Sequence, residues 1–270
     1  MQKKDSNNMK DINNKAPSEP VILKSIDRAI DILEYLLTQE NEVSVSRISK
    51  DLGVGKSTVY RTLTTLEHRG YVAQNPETER YFLGQRVFVY GMRKKHSFVS
   101  SIMPYLQRLN DKYLDAVTLA ELTKDSDDIY YVENLAYVKS RQNIAINING
   151  NDQVESYCSS LGKCLLAFDK TVDLSAYPNR KLKKWTPNTI DNYDDLLLEL
   201  DKIRKQGYAV DDEEYALGLF CIGVPIMSGD NAIAAISMSG PVTRTRDMDL
   251  EGKIAFMKAL SKEITEKVFF

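Results

Sequence analysis

The sequence predicts two domains of different class: an N-terminal winged helix-turn-helix, mainly α, followed by an α+β domain built on an antiparallel sheet. Three observations carry this prediction. In Gly55–Tyr71, GKSTVYRTLTTLEHRGY, Val59, Leu63 and Leu66 recur at i, i+4 and i+7, which gathers them on one side of a helix. Just after it, two β-prone runs, Tyr71–Ala73 and Arg80–Leu83, flank the turn residues Asn75–Glu79. Beyond residue 115, short β-branched runs bounded by Asp, Asn and Gly alternate with longer helical patterns.

The N-terminal elements follow in order. Residues 1–20, MQKKDSNNMKDINNKAPSEP, are polar, lack the apolar stretch of a signal peptide, and read as a disordered tail. The winged domain is expected over 21–83. Ser25 precedes Ile26, Ile30, Leu33 and Leu37, an i, i+4, i+7, i+11 stripe expected to cover the two following helices. Ser46 is placed to cap a short helix in which Ile48 and Leu52 pack, and Gly53 breaks it. The next helix would enter a DNA major groove, with the hairpin as a wing beside it. Lys56, Ser57, Tyr60, Arg61 and Thr64 fall mostly opposite its apolar stripe, and Gly70 stops it. Short hydroxyls reach phosphates and base edges, and Arg can contact guanine through two hydrogen bonds. The expected DNA contacts are Ser46, Lys56, Ser57, Thr58, Tyr60, Arg61, Thr64 and Arg80. For the helix alone, a merely solvated polar face is the alternative. His68, in its last turn, is expected to complement the helix dipole.

A linker helix is expected over 84–98, with Val87, Tyr90 and Gly91 on one run. The second domain, 99–270, opens on Ile102, Tyr105, Leu106, Leu109 and Tyr113, with Pro104 in a first helical turn after Ser100 and Ser101. Strands are expected at 117–122, 129–135, 144–148, 209–211, 221–226 and 232–239, and helices at 160–168, 193–206 and 248–268. Ser237 and Ser239 alternate within AAISMSGP, so both hydroxyls point to one face and need partners, either backbone or a ligand. Ser160 and Leu161 open a helix whose free amides favour an anion such as a small carboxylate. Lys163 is expected to face solvent or pair with an acidic residue. Asp212, Glu213 and Glu214 read as a solvated loop, and Cys221 as a buried small hydrophobe.

From Ser25 to Gly91 the chain resembles the winged helix-turn-helix of IclR-type transcriptional regulators: SIDRAIDILEYL, SVSRISKDLGVGKSTVYRTLTTLEHRGYV and NPETERYFLG fall in family order. SSLGKCLLAF, IRKQGYAVDDEEYALGLFCIGVPI and AAISMSGP look like the three segments that mark the family's effector domain. Gly55 stands where the family often has proline, Ser49 for a usual alanine, and Glu155 and Tyr157 where proline and histidine are common. The resemblance implies an effector domain similar to GAF and profilin-like sensor folds, and a linker helix that carries part of a dimer contact. It places Asp211, Cys221, Ser237 and Ser239 at the effector pocket, beside the helix start at Ser160 and Leu161. It implies a ligand-responsive regulator, more commonly a repressor, that binds a palindromic double-stranded operator as a homodimer or homotetramer. The implied effector is a small organic, aromatic or sugar-derived acid.

Composition agrees. With 270 residues and 43% hydrophobic content the chain suffices for two cores. Net charge is −2, but Ser44–His96 holds ten basic and four acidic side chains, a local +6 against −8 elsewhere, which suits a phosphate-facing module on an acidic body. No apolar run is long enough to span a membrane. Three cysteines without a CxxC pair indicate neither a disulfide framework nor a zinc finger, and a cytoplasmic setting is expected. No cofactor, metal ligand or catalytic residue is expected. The two histidines, His68 and His96, lie in or near the N-terminal module, so the C-terminal half cannot assemble a histidine-based catalytic pair. Two alternatives stand beside the acid-sensing regulator: a redox-responsive regulator of the same fold using Cys221 or Cys158, and a cytoplasmic enzyme with a DNA-binding appendage.

Overall fold

In the computed structural model, which describes residues 22–39, 41–145 and 154–268, the first elements are α1 (Lys24–Leu37), α2 (Val45–Asp51) and α3 (Lys56–His68). The tail expected over 1–20 lies outside the described residues. β1 (Val72–Gln74) and β2 (Tyr81–Leu83) then pair antiparallel, Val72 opposite Leu83, and a bridge from Val43 to Tyr81 extends the hairpin. Ile48, Val59, Leu63, Leu66, Val72 and Tyr81 are buried together with Ile32 and Leu36. Each such side chain stabilises by roughly 1.5–3 kcal/mol on leaving water. The chain divides into two compact units between Arg93 and Lys94.

Two expectations in this unit are corrected. On α1 the buried residues are Ile32 and Leu36, while Ile26, Ile30 and Leu37 are exposed and Leu33 is partly buried. The helix is apolar over two adjoining stripes, and the core takes the one about a residue away from the regular i, i+4 series. The cap of α2 is Ser44, not Ser46: Ser44 Oγ accepts from the Arg47 amide at 3.3 Å. The tie from Val43 to Tyr81 fixes where the chain stops being extended, so the helix starts two residues earlier than the pattern suggests. Gly53 and Gly70 adopt φ of +64° and +73°, the left-handed conformations that end α2 and α3.

α4 runs unbroken from Gln85 to Tyr113 with Pro104 inside it, so the expected new helix start at Pro104 is not observed. Proline forfeits one backbone bond there. Ile102, Leu106 and Leu109, all fully buried, line one face across that position and offset the loss.

The second unit is a six-stranded antiparallel sheet in the order β5–β4–β3–β8–β7–β6. Its strands are β3 (Ala116–Lys124), β4 (Tyr130–Val138), β5 (Val154–Glu155), β6 (Ala209–Asp212), β7 (Leu219–Ser228) and β8 (Asn231–Pro241). One face carries α5 (Ser160–Phe168) and α6 (Tyr193–Gln206); the other carries the last turns of α4 and α8 (Leu250–Val268). Alternation decides the faces: Phe220, Ile222, Val224, Ile236 and Met238 join α4 and α8, leaving Cys221, Gly223, Ser237 and Ser239 toward α5. The strand expected at 144–148 falls outside the described residues from 146 onward, and 144–145 belong to no strand. β5, the 3-10 turn Ser156–Cys158 and α7 (Val242–Thr245) are too short for periodicity to reveal.

Candidate functional site

The exposed face of α3 carries Lys56, Ser57, Tyr60, Arg61 and Thr64, with Thr58 half-buried. Thr64 Oγ1 donates to the Tyr60 carbonyl at 2.9 Å and Thr65 Oγ1 to that of Arg61 at 2.9 Å. Their protons are thereby committed, so these threonines offer outward an acceptor lone pair and a methyl group. Ser46 is exposed on α2 and Arg80 on the wing, so neither belongs to the α3 face itself. Two features missed by the sequence reading hold these elements. Glu42 accepts from Asn75 Nδ2 and Thr78 Oγ1, both at 2.7 Å, fixing the wing turn. Those bonds keep its carboxyl below the usual range. Arg86 donates to the Arg69 carbonyl at 2.9 Å and lies over the Tyr71 and Tyr90 rings, holding the end of α3 against the start of α4.

In the second unit, Ala116, Ser239, Cys221 and Asp211 are successive cross-strand partners and so form one row on the α5-facing side. Ser237 lies in the next row, beside Gly223. A side chain at Gly223 would stand 2.5 Å from the Ser160 carbonyl, so glycine lets the α5 start rest on the sheet. Ser159 caps that helix, its Oγ accepting from Gly162 at 3.1 Å. Ser160, Leu161, Asp211, Cys221, Ser237 and Ser239 are all buried, and the row assignments bring them to one side of the sheet. Thr118, opposite Ser237 on β3, joins them and was not foreseen; only the strand register reveals it.

Asp211 Oδ1 accepts from the Glu214 amide at 2.8 Å and the Tyr215 amide at 3.3 Å. Burial, then the nearby Glu214 carboxylate, raises its carboxyl to about 7. Nearby, one expectation holds in its second form, the pairing of Lys163 with an acidic residue, and one fails. Lys163 does not face solvent: it is fully buried, ion-paired with Glu214 and 3.7 Å from Glu199 Oε1. Glu214 is not solvated either, because Thr186 and Thr189 Oγ1 hold its backbone carbonyl and draw the loop inward. Burial pushes the Glu214 carboxyl up against the opposing pull of Lys163. Glu213 accepts from the Gly218 amide at 2.7 Å and Asp212 pairs with Arg246 at 2.8 Å, so these two brace the same loop.

Cys158, Cys164 and Cys221 are free and buried, and burial pushes all three thiols up. That disfavours the thiolate a redox sensor needs. Among the described residues no cluster of histidine, cysteine and carboxylate side chains could hold a metal, and no helix is long and apolar enough to cross a membrane.

Known proteins match both units. The IclR helix-turn-helix domain matches residues 25–76 and the C-terminal domain of bacterial IclR transcriptional regulators matches 91–266. The HTH-type transcriptional regulator KdgR of Escherichia coli is 30% identical over 93% of this chain and 94% of its own length. The transcriptional repressor IclR of the same organism is 27% identical over 90% of this chain and 89% of its own. The crystal structure of Thermotoga maritima IclR superposes with a TM-score of 0.58 at 29% identity, covering 92% of this chain and 99% of that one. An IclR homologue from Microbacterium hydrocarbonoxydans, complexed with 4-hydroxybenzoate, shares the fold at 19% identity and a TM-score of 0.56, over 90% and 98%. An exposed polar helix face in one unit, a buried polar row in the other and matches over nearly the whole length agree: the chain belongs to the IclR family of DNA-binding, ligand-responsive transcriptional regulators.

Proposed function

We propose that this regulator is a cytoplasmic repressor that binds a palindromic operator through α3 and the wing and answers to a small organic acid held beneath the start of α5. The observation that carries the effector reading is the row Ser239–Cys221–Asp211 with Ser237 beside it: buried hydroxyl donors lie at a helix start on one side of the sheet. The E. coli IclR relative is a repressor, and the Microbacterium homologue holds an aromatic acid, which supports both the sign and the ligand class. Lys56, Ser57, Thr58, Tyr60, Arg61 and Thr64 contact DNA from α3, with Ser46 and Arg80 flanking them.

Self-association belongs to the same proposal. Ile26, Ile30 and Leu37 on α1 and Phe88 and Met92 on α4 are exposed apolar side chains that a second copy of the chain would cover. A two-fold pair of reading helices then requires a two-fold operator.

Thermal denaturation with acetate, benzoate and 4-hydroxybenzoate tests the effector reading, since a ligand of the folded state alone raises the midpoint. At least one acid is expected to do so, and Ser237→Ala with Ser239→Ala is expected to abolish the rise while operator binding without ligand survives. A double variant with the full response would place the pocket elsewhere.

A further inference from the structure

Beside the row that ends at Asp211 runs a second one with an unequal supply of partners. Thr118 on β3 lies opposite Ser237 on β8, which lies opposite Gly223 on β7. Opposed residues of an antiparallel sheet project to the same side, and Gly223 identifies that side as the one on which the α5 start rests. The neighbours Val117 and Leu119 turn the other way, into the core with α4 and α8. Thr118 is 1% exposed, and among the described residues its Oγ1 has no hydrogen-bond partner.

A buried hydroxyl without a partner destabilises the folded chain. Valine, of nearly the same shape and equally suited to a strand, would not. The hydroxyl is therefore unexplained by packing. Its chemistry fits the site: Glu214 is engaged by Lys163 and Asp211 donates only while protonated, so the standing side-chain donors of these two rows are hydroxyls, and each carboxylate oxygen accepts two bonds. Adjacent strands lie about 4.8 Å apart. One ligand oxygen can bridge hydroxyls at that separation.

We propose that Thr118 is a further ligand-contacting residue of this site, its hydroxyl donating to an oxygen of the bound acid beside Ser237. The assignment rests on the carboxylate reading of the pocket. The competing occupant is a water molecule, which would satisfy the same hydroxyl and leave affinity indifferent to its removal.

The test uses the full chain and three variants, Thr118→Val, Thr118→Ser and Ser237→Ala, with acetate, benzoate and 4-hydroxybenzoate as probes. Affinity is measured by calorimetry for the acid that most raises the wild-type melting midpoint. Without ligand, Thr118→Val is expected to melt at or above the wild-type temperature. With ligand it should lose about tenfold in affinity, the scale of one hydrogen bond, and Thr118→Ser should recover most of it. Wild-type affinity in Thr118→Val, with the loss confined to Ser237→Ala, would overturn the assignment and leave the pocket standing. A lowered unliganded midpoint in Thr118→Val would overturn it too, by showing a structural hydroxyl. Failure of all three acids to bind the wild-type chain would overturn the carboxylate reading and the assignment with it.

Discussion

The outer face of α3 and the floor beneath α5 use similar side chains in opposite surroundings. On α3, hydroxyls and cations are exposed, and Thr64 and Thr65 have given their protons to their own helix. On the floor, Ser237, Ser239, Thr118 and Asp211 are buried, and Asp211 is held near a protonation midpoint. Water keeps the first set charged and interchangeable, so its selectivity must come from the DNA it meets. Exclusion of water gives the second set its leverage: each donor is worth more there, and each unpaired group costs more.

The largest effect that sharpens this contrast is expected in the core behind α3. Leu63→Ala, fully buried, should cost about 2–5 kcal/mol. Urea unfolding followed by circular dichroism should show the first unit lost and operator binding with it, while a carboxylate still stabilises the second. Loss of that ligand response would show that the two regions do not fold independently. On the exposed stripe of the neighbouring helix, Ile30→Ala should change stability by less than about 0.5 kcal/mol. Sedimentation should instead show weakened self-association.

Arg61→Ala should weaken operator binding by about 1–3 kcal/mol while barely changing affinity for random duplex, if the side chain reads a base edge. Equal losses on both would reduce it to a phosphate contact. Lys56→Ala should weaken both alike and flatten the salt dependence by about one unit.

A further break point is pH. The folded Asp211 carboxyl titrates at about 7 and an unfolded aspartate near 3.9. The folded state thus holds the extra proton between those values. Stability from this group is fully present below about pH 4 and fades as pH rises through about 7. Asp211→Asn keeps an acceptor for the Glu214 and Tyr215 amides and removes the charge, so at pH 8 it should be more stable than wild type by about 1–2 kcal/mol. At pH 4 the two should converge. Parallel stability curves across that range would show that Asp211 is ionised in the folded chain throughout.

The same contrast explains what was legible in the sequence. The reading helix declares itself because its periodicity is local: Val59, Leu63 and Leu66 inward forces Lys56, Tyr60 and Arg61 outward. α5 and α6 were also placed over their full lengths. The floor of the site is not local. Ser237 and Ser239 show by alternation that they share a face, but Thr118 joins them only through the register of β3 against β8, which a single sequence does not contain. A pairing of Lys163 with some acidic residue was expected, but its burial with Glu214 escaped because the two lie 51 positions apart and only the tertiary fold, with Thr186 and Thr189 holding the Glu214 carbonyl, brings them together. The α1 stripe misled for a third reason. An exposed apolar stripe has the same sequence pattern as a buried one.

The most direct test of the central account, that an acid held beneath α5 governs DNA binding by α3, is operator affinity with and without ligand. A duplex selected by the protein from a random pool is titrated by fluorescence anisotropy, alone and with the acid that raises the melting midpoint, for wild type and for the Ser237→Ala, Ser239→Ala pair. The account predicts that the acid weakens wild-type binding by roughly tenfold or more, a coupling of about 1.4 kcal/mol, and leaves the variant's affinity at its unliganded value. Wild-type affinity unmoved by a saturating acid, or an equal response in the variant, would contradict it.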